Sequence, residues 1–233
     1  DERWLDAARQ GARWMDAHLS ELIEGWAGCG LFTGVGGWAF VLDQLAEAAG
    51  DEGARAQAAT VIEAIAQRVE DDGDGIHWHG LTEILWGTAG IGCLMLATGR
   101  RHIGDRAVDL ASRAGAWLLS QAESAEGGGI RWSLGPGYQR ANFDPRFPNF
   151  AHGTAGIAFF LARLAAETGD QRFFDGAQAG AEWTLTTCRT DGDTCAAFHH
   201  EPDATDNYTL GWCHGPPGLG WLFRQLELTS GDP

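Results

Sequence analysis

At 233 residues the chain has room for one large domain or a repeat array. It carries a formal charge of −16 and no lysine, all 16 basic residues being arginine. This argues against a nucleic-acid partner and fits either simple solubility or attraction of a basic peptide or cation. No stretch reaches the roughly 18–20 consecutive apolar residues of a membrane span, and Asp1-Glu2-Arg3-Trp4 has no basic-then-apolar leader pattern. The expected setting is therefore the cytoplasm, although a chain without an initiator Met leaves a removed segment open. Five cysteines, an odd number without close regular spacing, fit a reducing compartment better than a disulfide framework.

In chain order, residues 4–22 read as a helix, followed by a glycine-rich turn, Thr33-Gly34-Val35-Gly36-Gly37, and an apolar run over 38–45. Gly50-Asp51 then gives a helix C-cap followed by the N-cap of a second helix over 54–69. Asp74-Gly75-Ile76-His77-Trp78 reads as a turn entering a short strand. The pattern then repeats with Trp86-Gly87-Thr88-Ala89-Gly90, the run 91–96, Gly99-Arg100 and a helix over 103–121 whose Leu110, Ala114, Trp117 and Leu118 recur at helical intervals. A third round follows: the turn Gly128-Gly129-Ile130-Arg131-Trp132, a long loop over 127–151, His152-Gly153-Thr154-Ala155-Gly156, the run 157–164, Gly169-Asp170 and a helix over 173–188. The fourth has the turn Asp191-Gly192-Asp193-Thr194-Cys195, a long loop over 190–211, Trp212-Cys213-His214-Gly215-Pro216-Pro217-Gly218, the run 219–226 and Gly231-Asp232.

The lead glycines Gly34, Gly87, Gly153 and Gly215 are 53, 66 and 62 residues apart. The unit is thus outer helix, loop, glycine-rich turn, inner helix. Glycine lets the inner helix N-termini crowd together, and stacked pairs of this kind curve and, in sufficient number, close into a toroid whose helix dipoles point inward. The expected fold is all-α, an α/α toroid of helix hairpins with short β-hairpin loops, in one domain over 1–233. The chain stops at the turn that elsewhere leads into the next outer helix, so the architecture is expected to be incomplete at its C-terminal end. Among the four turns, only the third and fourth carry reactive side chains, His152, and Cys213 with His214.

These motifs, in this order and spacing, resemble the lanthionine synthetase cyclase (LanC-like) family. Ala151-His152-Gly153-Thr154-Ala155-Gly156 is similar to that family's third-repeat His-Gly motif. The stretch from Trp212 to Gly218 is similar to its fourth-repeat Trp-Cys-x-Gly-x-Pro-Gly motif. The resemblance covers nearly the whole chain and implies four of the seven helix pairs of the family toroid. It implies a zinc-dependent cyclase that adds a peptide cysteine thiol to a dehydroalanine or dehydrobutyrine residue, forming a thioether ring in lanthipeptide biosynthesis. The implied partners are a dehydrated precursor peptide and a dehydratase, kinase or lyase protein.

The family's zinc is held by the fourth-repeat Cys, which maps onto Cys213, and by a fifth-repeat Cys-His pair that has no counterpart here. A helix start favours the thiolate that zinc binds. The family carboxylate four residues before the second-repeat glycine maps onto Glu83, where Asp is usual; an acidic residue in a helix first turn is the competing reading. The family Arg four residues before the zinc Cys is replaced by Thr209, which puts that role in doubt. An imidazole suits protonation of the enolate, so His152 is the candidate proton donor, the competing reading being a His that caps or lines a helix start. Glu83 would orient it or shuttle its proton, and His214 reads as a ligand, a substrate contact or a group behind the ligands. His77 with His79, and Cys195 with His199 and His200, are weaker metal or substrate candidates. Cys29, Cys93 and Cys188 read as core, as do Trp38, Trp86 and Trp221, and residues 71–74 as a solvated turn. Three alternatives stay open: addition of glutathione to dehydroamino acids, which Trp-Cys-His-Gly-x-Pro-Gly also resembles, a carbohydrate enzyme on a related toroid, and a metal-free peptide-binding module.

Overall fold

A computed structural model of the chain describes residues 2–24, 28–73, 75–138, 146–191, 194–198 and 210–231. The helices are α1 (Glu2–Glu24), α2 (Val35–Ala49), α3 (Glu52–Ala66), α4 (Thr88–Leu94), α5 (Arg100–Ile103), α6 (Asp105–Ser120), α7 (Thr154–Thr168), α8 (Gln171–Thr186) and α9 (Pro216–Ser230). Antiparallel two-stranded hairpins join them: β1 (Glu70–Asp71) with β2 (Ile76–His77), β3 (Glu123–Ser124) with β4 (Ile130–Arg131), and β5 (Cys188–Asp191) with β6 (Thr194–Phe198). The fold is all-α, built of outer–inner helix hairpins with short hairpin loops, as the sequence pattern requires.

The inner helices stand in chain order. The α4 helix packs between α2 and α7, and α7 between α4 and α9, while α3, α6 and α8 pack behind them. One large core joins these layers, with Ile62, Ile65, Ile91, Leu94, Leu118, Phe160 and Leu161 at its centre, and a smaller one seals α1 against α2 and α3 through Ala12, Leu42 and Ala58. The helix limits expected from caps are observed. Gly50, Gly169 and Gly231 close α2, α7 and α9 in the left-handed conformation, at φ 62°, 71° and 72°. Asp51 and Asp170 cap the next helices by accepting from Ala54 N and Arg172 N, each at 3.0 Å.

Gly99 departs from expectation. It does not end a helix but lies in a π-helical turn, Met95–Gly99, that joins α4 to α5 without a break, and the chain turns instead at Gly104, with φ 58°. Tertiary contacts account for the extension. It carries Arg101 and His102 onto the buried Asp43 of α2, whose carboxylate takes hydrogen bonds from Arg101 and, at 2.9 Å, from His102. Burial alone pushes the Asp43 carboxyl up, but the hydrogen bonds and charges of Arg101 and His102 outweigh it and hold the group below its ordinary range.

Two fully buried tryptophans lock the first two hairpins. Trp78 donates its indole N–H to Ile65 O at 2.9 Å, and Trp132 to Leu118 O at 2.6 Å. Their main-chain N–H groups both donate to the threonine that opens the next inner helix, Thr88 and Thr154, at 3.3 Å. Cys188 is not a core thiol: it is half-buried and disulfide-bonded, which also departs from the expectation of reduced cysteines. No described helix is long and apolar enough to cross a membrane.

Candidate active site

The four inner helices begin alike. Gly34, Gly87, Gly153 and Gly215 are extended at the N-cap and offer no side-chain cap. In three of the turns the first helical N–H is satisfied by a carbonyl seven residues earlier: Val35 N on Gly28 O at 3.0 Å, Thr88 N on Leu81 O at 2.8 Å, and Thr154 N on Phe147 O at 2.9 Å. The second glycine of each motif, Gly37, Gly90, Gly156 or Gly218, lies against the carbonyl six residues before it, that of Leu31, Ile84, Phe150 or Trp212, with no room for a Cβ.

On this constant backbone, equivalent positions acquire equivalent places. Three residues before the lead glycine stand Leu31, Ile84, Phe150 and Trp212, all lining an apolar cavity of about 560 Å³ beside the inner helices, together with Phe40, Leu94, Phe159 and Trp221 among others. Two residues before it, the main chains of neighbouring turns meet: Phe32 N donates to Leu85 O at 3.2 Å, and Ala151 N to Cys213 O at 3.0 Å. One residue before it stand Thr33, Trp86, His152 and His214. The last three form a row, with the His152 ring 5.4 Å from Trp86 and 5.9 Å from His214, nearly parallel to the latter at 30°.

Glu83 lies behind this row, its side chain 1% exposed. Its carboxylate accepts from the main-chain N–H groups of Trp86 at 2.6 Å, Gly87 at 2.9 Å and Leu85 at 3.2 Å. Oε2 also meets His152 Nδ1 at 3.1 Å. Glu83 therefore does both things weighed for it: it serves the helix start and it holds His152. Both Glu83 oxygens already accept main-chain N–H groups, so His152 Nδ1 is the donor of the pair, and Nε2 is the ring nitrogen suited to exchange a proton. The His152 side chain is 25% exposed, enough to meet a substrate.

Cys213 and His214 are half-buried in the adjoining turn. The structure thus brings Glu83, His152, His214 and Cys213 together at one end of the inner helices. Cys213 supplies a donor suited to zinc, but among the described residues no group of three or more His, Cys, Asp or Glu side chains is placed to hold a metal ion. A complete zinc set is not present in them.

The remaining candidates lie elsewhere. His77 and His79 flank Glu70, their Nδ1 atoms 3.9 and 3.8 Å from its Oε1. His79, in the left-handed region at φ 60°, is pushed below the ordinary imidazole range by burial, against the pull of Glu70. The side chain of Cys195, and His199, His200 and Thr209, lie outside the described residues. Burial pushes the thiols of Cys29 and Cys93 up to about 11 and about 12, as inert core cysteines require. Trp86 and Trp221, read as core, are 43% and 58% exposed, Trp86 at the site and Trp221 at the cavity. Sequence reasoning missed Asn149, which is fully buried and accepts the His152 main-chain N–H at 2.8 Å.

A family model described as lanthionine synthetase C-like protein matches residues 1–229. The chain belongs to the lanthionine synthetase C-like family. No curated protein matches it. The family includes lanthionine synthetase cyclases and is typically zinc-binding.

Proposed function

We propose that the chain acts as a thioether-forming cyclase, adding a cysteine thiol of a dehydrated precursor peptide to a dehydroalanine or dehydrobutyrine residue to close a lanthionine or methyllanthionine ring. The observation that carries this reading is the 3.1 Å contact between Glu83 and His152 beside the Cys213-His214 turn, in a chain of this family. Cys213 would provide one zinc ligand, with the other donors coming from outside the described residues. Zinc, when bound, makes a thiolate accessible near neutral pH.

Addition forms the S–Cβ bond and moves the alkene pair onto the Cα side as an enolate. The enolate then takes one proton at Cα, and nothing is oxidised or reduced. The thiol's own proton leaves to solvent on ionisation. His152 is suited to deliver the Cα proton from Nε2 while Glu83 holds Nδ1 and fixes the ring. Trp86 and His214 flank the imidazole on either side and limit how a peptide and water approach it. The charge of −16 favours a basic precursor. A cytoplasmic setting, a dehydratase, kinase or lyase partner, and no nucleic-acid partner complete the reading.

The test incubates the full-length, zinc-analysed protein with a dehydrated precursor, alone and with glutathione. Ring closure leaves peptide mass unchanged and removes thiols that an alkylating agent would label. The expected result is loss of alkylation at constant mass. Glutathione adducts without ring closure would favour the second reading that Trp-Cys-His-Gly supports. Binding of the peptide with neither reaction, by metal-free protein, would overturn both in favour of a binding module.

A further inference from the structure

Asn149 precedes Gly153 by four residues, the offset at which Glu83 precedes Gly87. Both residues are fully buried, and both serve the N–H three residues on: Glu83 Oε1 accepts from Trp86 N at 2.6 Å and Asn149 Oδ1 from His152 N at 2.8 Å. The corresponding residues of the first and fourth turns, Gly30 and Gly211, have no side chain for the task. The amide cannot be reversed, because that would set one N–H against another. Among the described residues Nδ2 is therefore left buried without a partner, a state that native structures avoid unless something compensates.

Capping alone does not call for an amide here. A carboxylate would serve the same N–H with a stronger, charge-assisted bond and leave no donor orphaned. It would also bury a second carboxylate against the residue that Glu83 already holds, which like-charge repulsion disfavours. We propose that Asn149 is a positioning residue for His152, an uncharged clamp on its main chain that complements the clamp of Glu83 on its ring. This rests on the reading of His152 as the proton donor. It adds that His152 is fixed at two points, main chain and ring, by repeat-equivalent residues from adjacent turns.

The test uses full-length, zinc-confirmed protein. Asn149→Ala should lower kcat for cyclisation roughly 10- to 100-fold, the range for one buried hydrogen bond lost with its partner stranded, with KM changed by less than about twofold. Asn149→Ser, which keeps a neutral acceptor, should recover most of that loss, and it carries the test if the alanine variant fails to fold. In a His152→Ala background the same Asn149 change should alter kcat by less than about twofold, since both residues act through one imidazole. Imidazole ¹⁵N spectra, with His152 assigned from His152→Gln, should show one tautomer in wild type and a mixture in Asn149→Ala.

A fall in melting temperature with kcat and tautomer unchanged overturns the proposal, as does an undiminished loss in the His152→Ala background. If His152→Ala cyclises at the wild-type rate while Asn149→Ala still mixes the tautomers, the proton-donor reading fails and the positioning role stands.

Discussion

The turn that opens α2 and the turn that opens α7 do the same backbone task with different equipment. In each, the first helical N–H rests on a carbonyl seven residues back, and the second glycine fits against a carbonyl six residues back. The α2 turn carries Gly30 and Thr33 where the α7 turn carries Asn149 and His152. The backbone repeat therefore fixes where a side chain will sit, and the residue placed there decides whether the turn is scaffold or site. The second and fourth turns complete the contrast, with Glu83 and Trp86 in one and Cys213 and His214 in the other, so each of three turns contributes a part to one cluster.

The largest effect should follow removal of the fourth turn's thiol. Cys213→Ala takes away one of the roughly three protein ligands of a catalytic zinc site, so stoichiometric zinc and thioether formation should both be lost. Helicity should be retained, because the helix layers pack independently of that half-buried side chain. Elemental analysis and circular dichroism decide this, and full zinc occupancy in the variant sinks the ligand assignment.

Next comes the side chain that most separates the α7 turn from the α2 turn. His152→Ala should keep zinc but slow cyclisation roughly 10²–10⁴-fold, the usual span of general acid–base catalysis. Glu83→Gln should cost less, because it disturbs the partner that orients the imidazole and leaves the imidazole itself in place, and the double variant should be non-additive. Rates on a dehydrated precursor, at confirmed zinc content, check all three. A wild-type rate for His152→Ala would make His152 a lining residue, with His214 the next donor to examine.

Changes to the shared scaffold should be milder and indifferent to chemistry. A methyl at Gly156 meets Phe150 O and the Ile84 side chain, and one at Gly37 meets Leu31 O. Overpacking of this kind costs about 1–3 kcal/mol. Gly37→Ala and Gly156→Ala should therefore both lower thermal stability, Gly156→Ala by more, because the added carbon there meets a nearer carbonyl and the Ile84 side chain as well. A loss confined to Gly156 would mean that the two turns are not the same scaffold.

Much of the fold was legible for this reason. Glycine pairs, apolar runs and Gly-Asp steps are local signals, and Gly50, Gly169, Asp51 and Asp170 do what such signals say. Gly99 misled because its conformation is set from a distance, by the demand of Asp43 for Arg101 and His102, which no local pattern records. At the site, His152 and Cys213 stood out as reactive residues in otherwise repeated motifs, whereas Glu83 was distinguished by resemblance alone. Trp86 was misread because a tryptophan in an apolar motif usually packs inward, and the contact of its exposed ring with His152 depends on two turns meeting across 66 residues of sequence. Asn149 had a usable signal, its four-residue offset from the lead glycine, matching Glu83.

The smallest effect should come from the bare turn's own counterpart of His152. Thr33 is exposed, and its hydroxyl meets Leu85 O at 3.5 Å, the outer limit of a hydrogen bond. Surface substitutions away from caps, cores and ion pairs usually stay within about 0.5 kcal/mol. Thr33→Ala should therefore shift melting by no more than a few degrees and leave the cyclisation rate within about twofold of wild type. Because it removes a side chain at the same repeat position as His152, it controls for any general disturbance of a turn at the end of an inner helix. A rate loss approaching that of His152→Ala, without loss of fold or zinc, would show that the first turn also touches substrate, and the division of turns into scaffold and site would have to be redrawn to include it.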